Sequence, residues 1–154
     1  MTRVYRITRR IYARNPFDGE GSYRYGGRWS SIGMRLAYAS EHQSLALLEY
    51  LVHIDLNDVP DDLVLAKADI PDNLKRRRLR LKDIPQDWDR YPAPKSLHAI
   101  GDRFCKENRT TILIVPSVLA PAEFNWLLNP QHPDFRSILI HPVKRFQYDR
   151  RLLQ

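Results

Sequence analysis

Apolar positions along the chain follow two different periods, and the change from one to the other separates strands from helices. At the start, "RVYRIT" sets Val4 and Ile7 among arginine and tyrosine in an imperfect alternation, which predicts a short first strand. "RLAYAS", residues 35 to 40, predicts a second. Ser40 then opens "SEHQSLALLEYLVH", where Leu45, Leu48 and Val52 recur at three- and four-residue spacing, the apolar stripe of an amphipathic helix. Ser40 followed by Gln43 has the form of a capping box. "LVLAKADI", residues 63 to 70, reads as a strand, and Ser96 stands as cap to a second helix, "LHAIGDRFCKEN", with Leu97, Ile100 and Phe104 on one face. "TTILIVPS", residues 110 to 117, is a continuous aliphatic run of the kind buried on both sides, so Ser117 stands where a central strand ends. "FRSILIHPV" closes the sheet, with Ile138 and Ile140 on one face.

Between these elements, residues 13 to 31 are polar and glycine-rich and predict a long loop, a kind of segment that is usually functional or mobile. "PAEFNWLLNPQHPDF" reads as irregular. With no repeat, low-complexity tract or linker, the pattern predicts one α+β domain over residues 1–154, a sheet-dominated core with two main helices.

Composition narrows the partners. The formal charge of +7 points to an anion, and nucleic acid, a phosphorylated small molecule and an acidic protein all satisfy it. The densest basic run, "LKRRRLRLK" (74 to 82), reads as a solvated face or exposed loop. The basic N-terminus has no apolar run after it, no stretch approaches membrane-spanning length, and the one cysteine, Cys105, has no partner in the chain. These features predict a soluble, cytoplasmic protein.

Glu49 is the costliest residue on the first helix. On a helical wheel anchored at Leu45 it falls inside or at the rim of the apolar stripe, where a carboxylate needs a cation, donors or a ligand, or must reach water. Arg28 follows Gly26 and Gly27 in "GGRW". It is either a surface cation after a hairpin turn or a guanidinium poised to grip phosphate. Neither a dinucleotide fingerprint nor a P-loop is present. Tyr38, just before the Glu49 helix, is either core or cleft lining. Ser117 has no nucleophile-elbow glycines and no evident histidine partner, which argues against serine-hydrolase chemistry. The five histidines and one cysteine show no metal spacing, and no metal is expected.

"VYRI", "GGRWSSIGMRLAYAS", "SLALLEYL" and "VPSVLAPAEFNWLLNPQHPDF", in this order, resemble the RES-domain toxins over nearly the whole chain. The resemblance implies a fold similar to ADP-ribosyltransferase toxins, NAD as substrate with no further cofactor, and an Xre-family helix-turn-helix antitoxin that occludes the active site. It also suggests a toxin homodimer within that complex, and no direct role for nucleic acid or membrane. The family arginine, glutamate and serine fall on Arg28, Glu49 and Ser117, the serine with alternatives at Ser30, Ser31 and Ser137. Tyr38, Gly27, Trp29 and Asn125 are the implied substrate contacts. Under this reading Glu49 stabilises the ribosyl cation as nicotinamide leaves, Arg28 holds pyrophosphate or ribose, and Ser117 positions Glu49 or binds ribose. Leu47 stands where arginine-modifying ADP-ribosyltransferases keep a glutamate or glutamine, which favours water or phosphate as acceptor over a protein. The alternatives are ADP-ribosylation of a protein and, from another class, a nucleic-acid-binding protein or ribonuclease built on the basic run with Trp88 and Tyr91.

Overall fold

A computed structural model describes residues 1–154. Eight strands form one sheet: β1 (Thr2–Arg9), β2 (Ala37–Ser40), β3 (Leu63–Ile70), β4 (Arg76–Arg78), β5 (Ile112–Pro116), β6 (Phe124–Leu128), β7 (Leu139–Ile140) and β8 (Lys144–Arg145). Their order is β4-β5-β6-β2-β1-β3-β7, with β8 also paired to β3. Every pairing is antiparallel except β4 with β5. Three helices flank the sheet: α1 (Glu20–Tyr25), α2 (Gln43–Leu51) and α3 (Lys95–Glu107). The α+β expectation holds. No helix is long and apolar enough to cross a membrane.

The aliphatic run of β5 is buried at all five positions, as its lack of alternation requires. Its Leu113 and Val115, with Leu127 of β6, pack against Leu97 and Phe104 of α3. Ile112 and Ile114 point to the opposite face and join Val4, Ala66, Trp126 and Phe17. A smaller cluster, Ile7, Ala46, Leu63 and Leu65, seats α2 on the β1–β3 pair.

Five local expectations need correction. Residues 13 to 31 are not one loop: α1 forms within them, and Phe17 and Ser22 are buried. Helix α2 begins at Gln43 with His42 at its cap position and no side-chain cap, so the capping box fails. Ser40 belongs instead to β2, where sheet register places it opposite both Tyr5 and Asn125. The inward face of α2 is Leu45 and Ala46, while Leu48 and Val52 are 48% and 56% exposed. The segment expected to be irregular contains β6, a central strand, because "FNWLL" fits between β5 and β2 despite its flanking prolines. At the end of the sheet Ile138 is buried but Ile140 is exposed.

The basic run is also more ordered than a loop. Arg76, Arg77 and Arg78 form β4, and the Arg76 and Arg78 guanidinium groups stack over Trp126 and Phe124, 5.2 and 4.3 Å from the ring centroids. Arg76 also donates to the Pro71 carbonyl at 2.8 Å. Two of its cations thus serve the fold, and charged side chains on an edge strand discourage further strand pairing.

Candidate functional site

Strands β1 and β3 pair along eight residues, from Thr2↔Ile70 to Arg9↔Leu63. Strands β1 and β2 meet only at Tyr5↔Ser40. Past that point the sheet parts, and a cleft of about 1150 Å³ opens along the seam. Residues 5 to 8 line one side and residues 38 to 40 another; α2, the 26–32 turn and residues 91 to 93 complete the walls.

Arg6 spans the seam. Its Nη1 donates to the Tyr38 carbonyl at 2.9 Å, a backbone acceptor that a regular sheet would have satisfied with another strand. Its Nε is buried with no hydrogen-bond partner. Burial pulls the guanidinium pKa down, and Asp18 opposes that shift. Sequence reasoning missed Arg6 as a site residue. The available signal was its place two residues after Val4, on an inward face of a strand, where a cation is out of place.

Glu49 lies three and four residues after the buried Ala46 and Leu45, at the rim of the face that α2 turns to the sheet, and its side chain lines the cleft. Two side chains converge on one of its oxygens. Ser117 Oγ donates to Oε1 at 2.8 Å, and Asn125 Nδ2 donates to the same atom at 2.6 Å. Ser117 is completely buried just past the end of β5, and its oxygen accepts from the backbone N–H groups of Leu119 and Ala120 at 3.1 and 3.2 Å. With both lone pairs taken, the hydroxyl proton has only the carboxylate to meet. That geometry suits a residue that orients Glu49 and leaves no electron pair for nucleophilic attack. Of the alternative serines, Ser30 bonds Tyr38 and Ser22, Ser31 bonds Asp102, and Ser137 lies in a turn after β6.

The "GGRW" turn is fixed from three sides. Gly26 has φ +71°, a left-handed conformation that favours glycine. Gly27 faces Tyr38 so closely that a Cβ would lie 2.6 Å from the phenol oxygen. The second glycine therefore makes room for a protein side chain, where the sequence suggests room for a ligand. The Tyr38 hydroxyl accepts from the Trp29 N–H at 3.0 Å and shares a 2.7 Å hydrogen bond with Ser30 Oγ. Burial raises its pKa well above the usual phenol range. Only the Tyr38 ring remains to face the cleft. Trp29, expected as a substrate contact, is 2% exposed, and its ring packs with Leu36, Leu97 and Phe104. Trp29 still lines the cleft with the little surface it leaves exposed, while its buried ring anchors the turn. Behind it, Asp102 of α3 accepts from Ser31 N and Oγ at 2.9 and 2.6 Å.

This anchoring delivers Arg28 to the cleft. Its Nη1 donates to the carbonyls of Trp88 and Arg90 at 3.1 and 2.9 Å, tying the 85–92 loop to the turn, while Nε and Nη2 make no hydrogen bond within the chain. Tyr91 of that loop lines the cleft and is 84% exposed. Glu49, Arg28, Tyr38, Gly27 and Asn125 thus share one cleft with the unforeseen Arg6, and Ser117 reaches it through Glu49. No group of three His, Cys, Asp or Glu is placed to hold a metal ion.

A parted mixed sheet, with a carboxylate held by two donors and two guanidinium groups lining the cleft at its seam, defines the α+β class of this protein. Residues 3–150 match the RES domain, and the chain belongs to that family. It is 36% identical over 154 residues to Toxin Res of Photorhabdus laumondii subsp. laumondii, covering 98% of this chain and 97% of the relative. It is 33% identical over 147 residues to the Prs ADP-ribosylating toxin of Sphingobium sp. (strain YBL2), covering 94% and 91%. Among solved structures, the M. tuberculosis MbcT–MbcA toxin–antitoxin complex has a chain of the same fold. Its TM-score is 0.73 at 17% identity, with coverage of 98% of this chain and 86% of that one.

Proposed function

We propose that the chain is the toxin of a toxin–antitoxin pair and that its cleft cleaves the bond between nicotinamide and ribose in NAD. The observation that carries this reading is the Glu49 carboxylate, with two donors on one oxygen and none on the other, in a cleft that also holds two arginines. As the C1′–N bond breaks, its electron pair passes to the pyridinium nitrogen and neutral nicotinamide leaves. The ribose is left with oxocarbenium character. A fixed carboxylate stabilises that developing charge without reorganising, the kind of electrostatic help that dominates many enzymes. Water or phosphate then adds at C1′. Water yields ADP-ribose and a proton.

Arg28 and Arg6 fit the pyrophosphate, whose two negative charges suit planar guanidinium donors. Arg28→Ala is expected to raise KM for NAD about tenfold to a hundredfold while changing kcat less, as lost ground-state binding does. Steady-state kinetics at several NAD concentrations checks this. NAD enters as substrate, and no resident cofactor has a part. An Xre-family antitoxin that fills the cleft would stop turnover by excluding NAD, and toxin pairing within such a complex is part of the same reading. The charge of +7 suits an acidic antitoxin segment.

The name of the Sphingobium relative supports a second reading, transfer of ADP-ribose to a protein. Leu47, two residues before Glu49, argues against an arginine acceptor, since arginine-modifying transferases keep a glutamate or glutamine there. Purified protein incubated with NAD in buffer, with phosphate, and with cell extract separates the cases. Nicotinamide release in buffer or phosphate supports cleavage to a small acceptor. Release only with extract, together with labelled protein, supports transfer. No release in any of the three overturns the NAD reading.

A further inference from the structure

We infer that Ser40 and Asn125 form a positioning relay that decides which oxygen of Glu49 meets the substrate. The inference rests on the reading of Glu49 as the catalytic carboxylate. In the β2–β6 register Ser40 stands directly opposite Asn125, and Asn125 stands opposite Val115 of β5, two residues before Ser117. Ser40 is buried, and its Oγ donates to Asn125 Oδ1 at 2.7 Å. Asn125 Nδ2 in turn donates to Glu49 Oε1 at 2.6 Å.

The chemistry of the groups leaves one consistent assignment. A carboxylate only accepts, so Asn125 must turn its NH2 toward Glu49, and its carbonyl oxygen then faces Ser40. Ser40 meets that oxygen with its proton. Without the hydroxyl, the amide would lose what distinguishes its two ends on the side away from Glu49. Flipped by 180°, it would set an acceptor oxygen against the carboxylate, a repulsive contact. The relay prevents that flip. Ser117, whose proton has no other acceptor, supplies the second donor to the same oxygen. Both donors therefore hold Oε1, and Oε2 is the oxygen free to face ribose. Ser40 borders the cleft but is buried with its proton committed to Asn125, so it and the Asn125 amide oxygen act through Glu49 as positioning groups.

This assignment revises the expectation that Asn125 contacts substrate. A binding residue and a positioning residue differ in kinetics, because misorienting a reacting group lowers turnover with little change in ground-state affinity.

The test uses the full chain, freed of any antitoxin. Ser40→Ala is expected to lower kcat for nicotinamide release about tenfold with KM for NAD unchanged, as a loss of alignment does. Ser40→Thr, which keeps the hydroxyl, is expected to restore most of it. Asn125→Asp keeps the shape but places an acceptor against Glu49. It is expected to lower kcat more than Ser40→Ala, because two like charges then meet where a donor stood. A readout independent of activity is the ¹⁵N-resolved side-chain NH2 signal of Asn125. It should be sharp and slow to exchange in the natural chain and in Ser40→Thr, and broadened in Ser40→Ala.

Wild-type kcat in folded Ser40→Ala or Asn125→Asp overturns the relay, and so does a rise in KM at unchanged kcat, which would mark substrate binding. If the natural chain releases no nicotinamide, the NAD reading falls. The amide signal then decides the relay by itself: an Asn125 signal unmoved by Ser40→Ala overturns it. Should Ser40→Thr fail to fold, the amide signal in Ser40→Ala and the kcat of Asn125→Asp still decide whether the relay stands.

Discussion

Glu49→Gln is expected to leave the chain folded and to reduce nicotinamide release about a thousandfold, the upper end of what removing one preorganised electrostatic group costs. The glutamine oxygen can occupy the position of Oε1 and accept from both Ser117 and Asn125, so neither donor is orphaned. The amide nitrogen then takes the place of Oε2. The side chain keeps its shape and its partners and loses the negative charge that would face the ribosyl cation. Glu49→Ala would be less clean, because it strands the Ser117 hydroxyl, which is completely buried, and an unpaired buried donor costs about 1–3 kcal/mol. A thermal melt beside the nicotinamide assay separates the effects. An unchanged melt with lost activity is the expected pair. Wild-type release from Glu49→Gln would remove the carboxylate from the mechanism.

Gly101→Ala should be the most disruptive of the glycine-to-alanine changes. Gly101 lies inside α3, where alanine is ordinarily the better helix former by about 1 kcal/mol. Here the sign reverses. A Cβ at this position would lie 1.5 Å from the Trp29 carbonyl oxygen and 2.7 Å from its carbon, both backbone atoms that no rotamer change can move away. Either α3 or the turn at residues 26 to 32 must shift. The turn is held to α3 itself by Asp102 and to β2 through Tyr38. The expected destabilisation is about 3 kcal/mol, at the upper end for inserting a methyl into a packed site. Arg28 rides on the displaced turn, so the residual folded protein should bind NAD more weakly. Chemical denaturation measures the first effect and KM the second. A variant as stable as the natural chain would mean that the turn and α3 are not packed as described.

How much of the fold is legible in the sequence differs element by element, and the reasons are physical. The runs at 63 to 70 and 112 to 116 are legible within a residue or two: the second because aliphatic continuity reports burial on both faces, the first because its opening Leu-Val-Leu-Ala gives way to an alternation in which Lys67 and Asp69 take the less buried face. Strand β6 is not legible: "FNWLL" carries two aromatics and an asparagine between prolines, and only the vacancy between β5 and β2 makes it a strand. Ser40 shows local chemistry overridden by register, since a plausible helix cap becomes a strand residue once Tyr5 and Asn125 stand opposite it. The Glu49 helix is visible in the spacing, but the spacing runs its inward face from Leu45 through Leu48 and Val52, where the fold keeps Leu45, adds Ala46 and leaves the other two exposed. The candidate cleft follows the same division. Arg28, Glu49, Tyr38 and Ser117 are named by motif and resemblance. Arg6 needs the parted sheet to be seen, because a strand arginine acquires its meaning only when the neighbouring strand fails to pair.

That parting also sets where the chain yields first. Across every other long strand boundary several backbone bonds must break together, but between β1 and β2 a single pairing and one guanidinium bridge hold the line. Local opening follows such boundaries, where few bonds resist. The two halves of the sheet still share one core, where Val4 and Ala66 meet Ile114 and Trp126, so the opening expected here is local to the backbone of the seam. A ligand in the cleft touches both, so its arrival would be recorded first by slower hydrogen exchange at the amides bordering the seam.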